Sequence, residues 1–151
     1  MNTLTHDTIA DFFIDFAQDH GDYLTNLKLQ KLVYYAQAWN LALYDKPLFD
    51  ADFQAWVHGP VCPALYTRFK KYRWNPITIR PETATLPDDV KAHLVNVFEA
   101  YEQYSGYQLE QMTHAEAPWV DARKGIPLDE ASTAVISKQS MKDFYSKLAS
   151  E

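Results

Sequence analysis

The segment Asn26–Tyr44 constrains this chain more than any other. Leu29, Leu32, Val33, Ala36 and Leu43 recur there at helical spacing, and Tyr35 and Trp39 widen them into a broad apolar stripe. Thr25 stands where a hydroxyl caps a helix start, and Pro47 ends the pattern. The spacing predicts the strongest core helix of the chain, so the other segments are read as its packing partners.

Residues 5–20 place Ile9, Phe12, Phe13, Phe16 and Ala17 at helical spacing, with Gly21 as a C-terminal stop. The opposite face carries Asp7, Asp11, Asp15 and Asp19, and like charges at that spacing repel by roughly 0.2–0.5 kcal/mol per pair. That face reads as a solvated surface or as an acidic docking stripe for a basic partner. Phe53, Ala55 and Val57 alternate with Gln54, Trp56 and His58, which predicts a short strand running into Gly59-Pro60. Pro63 opens a helix through Leu65, Tyr66, Phe69 and Tyr72, and the prolines at 76, 81 and 87 punctuate a loop with a brief strand at 77–79.

Residues 88–104 are expected to form a third long helix, with acids at its N-terminus, where the helix dipole favours them, and Val90, Leu94, Val97, Phe98 and Tyr101 inward. A helical stretch at 108–115 is expected to end near Ala117, because Pro118 disfavours helix in the residue before it. A polar link follows Gly125 and Pro127, then a last helix over 140–148 with Met141, Phe144, Tyr145 and Leu148 inward. The expected architecture is mainly α (α+β): one compact domain over 1–151, about five to seven helices, and a small hairpin or short strands near 48–61 and 77–79.

Composition narrows the class. A chain of 151 residues that is 15% aromatic and 47% hydrophobic cannot be disordered, since it has ample apolar surface to bury. One cysteine, Cys62, excludes an internal disulfide framework and a four-cysteine zinc module. The first residues carry no basic, apolar leader, and no run approaches the roughly 18 apolar residues of a membrane span, so a cytoplasmic protein is expected. Twenty acids against fourteen bases leave a charge of −6, which weighs against wrapping nucleic acid.

The catalytic motifs are missing: there is no glycine-rich phosphate loop, no Gly-x-Ser-x-Gly elbow and no zinc-protease helix. His58, Cys62, His114 and Glu116 make a loose metal set, and Cys62 with His114 a nominal nucleophile pair. Pro60 and Pro63 bracket Cys62, however, and lone cysteines usually serve as small buried hydrophobes. No catalytic residue, metal ligand or cofactor is assigned. Arg68, Lys70, Lys71, Arg73 and Arg80 are interleaved with Phe69, Tyr72 and Trp74, a pattern that suits single-stranded nucleic acid, an acidic protein surface, or the chain's own acidic helix. In Thr113-His114-x-Glu116-x-Pro118-Trp119, Trp119 is read as filling a core gap while Thr113 and His114 hydrogen-bond the helix end.

These residues also carry a family likeness. The stretch Leu27-Lys28-Leu29-Gln30-Lys31-Leu32-Val33-Tyr34-Tyr35-Ala36-Gln37-Ala38-Trp39 resembles the signature helix of the Panacea antitoxin domain family, the SocA-like and phage-associated stand-alone antitoxins. Ala55-Trp56-Val57-His58-Gly59-Pro60-Val61, Tyr66 and the Thr113–Trp119 cluster, with Glu116 and Pro118, follow in the family's order and spacing. The resemblance implies a non-catalytic antitoxin of a type II-like toxin–antitoxin system, which neutralises a co-encoded toxin by direct protein–protein binding. A proteolytic adaptor that delivers the toxin to an ATP-dependent protease is the alternative within that class, with a protease or a second copy as further partners. The basic segment 68–80 itself leaves a nucleic-acid-binding regulator as the rival reading. Since the likeness fills nearly the whole chain, no separate DNA-binding segment is expected. Most motif residues are expected to be scaffold, with Lys28 and Lys31 extending their ammonium groups to the surface. The partner-facing candidates are Asp7, Asp11, Asp15, Asp19, Arg68, Lys71, Tyr72, Arg73 and Trp74.

Overall fold

The computed structural model describes residues 4–151. Its axis is α2 (Asn26–Tyr44). The Thr25 hydroxyl accepts from the Lys28 N–H at 3.2 Å, and Asp45 ends the helix in the left-handed conformation at φ 57°. Every residue from 29 to 38 is buried, so α2 is covered on all sides rather than along one stripe. Gln30 and Gln37 therefore become interior polar groups that must find partners there. Gln37 Nε2 donates to Phe49 O at 2.8 Å while its Oε1 accepts from Leu48 N at 2.7 Å. Gln30 Oε1 accepts from Cys62 N at 3.0 Å. The polar residues of the axis thus tether the backbone on both sides of the hairpin described next.

β1 (Phe53–Trp56) and β2 (Gly59–Val61) form that hairpin, with Trp56 opposite Gly59. α1 (His6–Asp19), α4 (Asp88–Tyr101), α5 (Gly106–His114) and α7 (Lys138–Ala149) pack against α2. α1 begins in a capping box between Thr5 and Thr8 and buries Ile9, Phe13 and Ala17. α3 (Pro63–Phe69) opens with Pro63 in its first turn and runs into a 3-10 turn at Lys70–Tyr72. α6 (Ala117–Ala122) completes the set. The fold is mainly α with a small antiparallel sheet, and seven α-helices form among the described residues, within the five to seven expected, α6 being the one no periodicity marks.

Several local expectations are corrected. Residues 77–79 are not a strand: Ile77 N donates to Leu24 O at 2.8 Å, and Gln18 Nε2 holds the Ile79 carbonyl at 2.8 Å, so neighbouring segments pin this loop outside the sheet. The third strand is β3 (Val135–Ile136), which pairs with β1 through Phe53 and Ile136 in the order β2-β1-β3. Two residues are too few to show a period, which is why the segment reads as a polar link. Leu43 and Leu148 point to solvent, because the last turns of α2 and α7 run past the core. Pro118 opens α6 instead of closing a helix, since its missing N–H is harmless in a first turn. No helix among the described residues is long and apolar enough to cross a membrane.

Candidate functional site

Three separated stretches meet around Lys31. Its side chain is fully buried rather than extended to the surface, which overturns the expectation for this lysine. Its Nζ donates to Pro60 O at 3.3 Å. Lys28, by contrast, places its Nζ at the surface, 2.7 Å from Glu102 O. Gly59 sits at φ 101°, and a β-carbon there would fall 2.9 Å from Thr113 Oγ1 and closer still to the Lys31 stem. Glycine is thus needed twice, for its backbone angle and for the space the lysine occupies. Thr113 Oγ1 donates back to Glu110 O at 2.8 Å, and the Glu110 carboxylate accepts from His58 Nδ1 at 3.0 Å. Burial brings the Lys31 ammonium down to about 7, against the opposing pull of Glu110.

The α5–α6 corner holds the hairpin by its carbonyls. Arg123 Nη1 donates to Ala55 O at 2.7 Å, Trp119 Nε1 to Trp56 O at 2.8 Å, and His114 Nε2 to Val57 O at 2.8 Å. The His114 and Trp119 rings stack at 4.1 Å, and the Arg123 guanidinium lies 4.6 Å over the Trp119 ring. Trp119 is buried, as its core role requires. His114 and Thr113 bond the hairpin and their own helix turn, which locks the hairpin over Lys31.

Above Lys31 opens a cavity of about 450 Å³. Leu27 and Gln30 of α2, Trp56 and Val61 of the hairpin, and Tyr66 of α3 form its walls. Lys70, Arg73, His58 and Trp74 surround its mouth, where the Trp74 and His58 rings meet edge to face at 5.6 Å. Trp74 is 69% exposed. The walls are apolar and aromatic and the rim is cationic.

Residues 29–120 match the family model described as antitoxin SocA-like, Panacea domain. The chain belongs to this Panacea family. Antitoxin SocA of Caulobacter vibrioides (strain NA1000 / CB15N) is 31% identical to it over 124 residues, which is 74% of this chain and 66% of that protein. The chain thus spans just under two thirds of that relative's length. No solved structure matches it.

The Panacea match includes Lys31, which lines the cavity, Pro60, whose carbonyl accepts from it, and Gly59 and Thr113 packed beside them. Its other signature aromatics serve a second cluster. Tyr35 Oη and Tyr145 Oη both donate to Glu116 Oε1, at 2.9 Å and 2.7 Å. Tyr35 stacks on Tyr101 at 4.1 Å, and Trp39 Nε1 donates to Tyr101 Oη at 2.8 Å. Burial pushes the Glu116 carboxyl up while the two phenols pull it down. This cluster joins α2, α4, α7 and the start of α6. Leu29, Leu32 and Ala55 are plain core.

The acidic stripe of α1 has partners within the chain. Arg68 bridges Asp7 and Asp11 at 3.1 Å and 2.6 Å, and Arg80 bridges Asp15, at 2.7 Å, and Asp19. Lys71 is exposed beside the Tyr72 ring, at 5.5 Å, while Arg73 and Trp74 stand at the cavity mouth. Among the described residues no group of three or more His, Cys, Asp or Glu is placed to hold a metal, and Cys62 is a buried thiol pushed up by burial. Glu110, Arg123 and Tyr145 are site residues that sequence reasoning missed, while Lys70 stands in the basic stretch the sequence already marks. Glu110 stands one helical turn before Thr113 and His114, a spacing that could have revealed it. Arg123 and Tyr145 carry no such signal, because their partners are remote in the chain.

Proposed function

We propose that this Panacea-family chain is a non-catalytic antitoxin of the cytoplasm, one domain that neutralises a co-encoded toxin by binding it directly. The mouth of the Lys31 cavity is the docking site. One observation carries this reading: the α1 acids are matched by Arg68 and Arg80, whereas Lys70 and Arg73 make no ion pair among the described residues and flank the exposed Trp74. An exposed tryptophan between uncommitted cations, over an apolar cavity, has the make-up of an interface anchor. The named relative is itself an antitoxin, which supports the same reading.

Co-expression with the product of the neighbouring gene tests it. The expected result is restored growth and a complex that co-purifies. Absence of both defeats the proposal. Toxin half-life in cells with and without ATP-dependent proteases then separates occlusion, which leaves half-life unchanged, from delivery for degradation.

A further inference from the structure

We infer that the Lys31 cavity receives an acidic anchor from the partner protein: an Asp or Glu side chain flanked by a large apolar one. This rests on the reading that the chain binds a toxin directly, and it specifies the chemistry of the contact.

Size comes first. A cavity of about 450 Å³ suits a drug-sized ligand, and so a pair of side chains rather than a whole helix. Its walls, Leu27, Trp56, Val61 and Tyr66, offer an apolar side chain what it needs. The wall amide is already engaged, since Gln30 accepts from Cys62 N and donates to Asn26 Oδ1 at 3.0 Å.

Charge decides the rest. Lys31 lines the cavity with its side chain wholly buried, and its ammonium has one hydrogen-bond acceptor among the described residues, Pro60 O at 3.3 Å. An ammonium carries three donors, and a buried charge is stable only when paired and bonded. The neighbouring carboxylate, Glu110, accepts from His58. An entering carboxylate would give Lys31 a charge-assisted bond and keep its proton in place. At the mouth, Lys70 and Arg73 repeat the same sign, so an acidic segment is attracted before it docks. In a chain of net charge −6, this basic opening favours an acidic protein segment over the long phosphate track of a nucleic acid.

The test uses the full chain and its co-purified toxin. Lys70→Glu/Arg73→Glu changes exposed rim charges, and Lys147→Glu on α7 is the control. The rim double variant is expected to weaken binding by about tenfold or more, with the control unchanged. Toxin variants in which single acids become amides are expected to locate one acid with the same loss, and a lysine at that position to regain affinity against the rim double variant. Lys31→Met reports on the floor, and the rim variants keep the inference testable if it unfolds. Should the wild-type chain bind toxin while the rim double variant binds equally well, or no single toxin acid matter, the acidic anchor is wrong and direct binding stands. Should the wild-type chain not bind toxin, direct binding fails and the anchor with it. Saturable shifts of the Trp74 and Trp56 indole signals by an oligothymidylate, abolished in the rim double variant, would reassign the opening to single-stranded nucleic acid.

Discussion

The ε-carbon of Lys31 lies 2.6 Å from the point where a β-carbon on Gly59 would sit. Real side chains do not approach so closely, so a residue on α2 and a residue of the hairpin exclude each other's enlargement. Gly59→Ala must displace a buried lysine and also hold alanine at φ 101°. We expect it to destabilise the fold by about 2–4 kcal/mol, measured by urea unfolding. A double-mutant cycle with Lys31→Ala should recover the part due to crowding and leave the part due to backbone angle. Strict additivity would show that the two residues do not compete for space.

Lys31 also predicts a pH dependence. Its ammonium is held at about 7 in the folded chain and titrates in the ordinary lysine range, near 10.5, when unfolded. Between those values the unfolded chain binds more protons, so this group makes stability rise as pH increases from about 7 toward 10.5. Lys31→Met removes that slope. Melting curves of both proteins across the window should give a wild-type minus variant difference that climbs with pH. A flat difference would contradict the buried, depressed ammonium.

Glu116 accepts two phenol protons on one oxygen. Its carboxyl is raised in the folded state, so the stability it contributes through proton binding is present below the ordinary carboxylate value of 4.5 and is lost as pH rises through the folded value. Glu116→Gln keeps an acceptor oxygen without the charge, and we expect it to be tolerated at neutral pH and to flatten the acid-side profile. Glu116→Ala leaves Tyr35 and Tyr145 without their acceptor and should cost about 2–4 kcal/mol in chemical denaturation. Equal losses in the two variants would refute the hydrogen-bonded cluster.

The two arginine clamps on α1 differ in burial. Arg68 meets Asp11, a partly buried carboxyl raised by desolvation and lowered by this arginine, so Arg68→Ala should destabilise by about 1 kcal/mol. The exposed Arg80 pairs should contribute little, and Arg80→Ala should leave the melting temperature nearly unchanged. Calorimetry at two salt concentrations distinguishes them. A large loss on Arg80→Ala would mean that the exposed pairs do more than surface ion pairs ordinarily do.

Trp74 is expected to show the opposite pattern. Its ring is mostly in solvent and meets His58 at the cavity mouth. Trp74→Ala should keep the unfolding midpoint and weaken toxin binding by about tenfold or more, the behaviour of an interface anchor. Isothermal titration with purified toxin checks it, and unchanged affinity would move the docking site elsewhere.

Periodicity alone marked α2, α1, α4 and the strand β1, because apolar repeats are local signals that tertiary packing seldom overrides. Gly59-Pro60, expected to end that strand, instead opens β2 after a turn at Val57 and His58. The same locality explains what was illegible. β3 is two residues long and exists only because Phe53 and Ile136 meet. The carbonyl clamps of Arg123, Trp119 and His114 pair residues more than fifty positions apart. The sequence leaves open whether the charges of α1 and of residues 68–80 meet partners or each other; folding sets Arg68 and Arg80 against the aspartates and leaves Lys70, Arg73 and Trp74 at the cavity mouth.

By itself, the amino-acid order determined a mainly helical chain built around 26–44, with an aromatic core and without the local motifs of a common enzyme. Only the tertiary structure decided that Lys31 is an interior charge under a cavity rather than a surface lysine. Spacing along a helix reports which residues share a face, but α2 is covered on every face. What each polar residue on it meets is therefore set by the elements that pack there, and by whether they offer an acceptor.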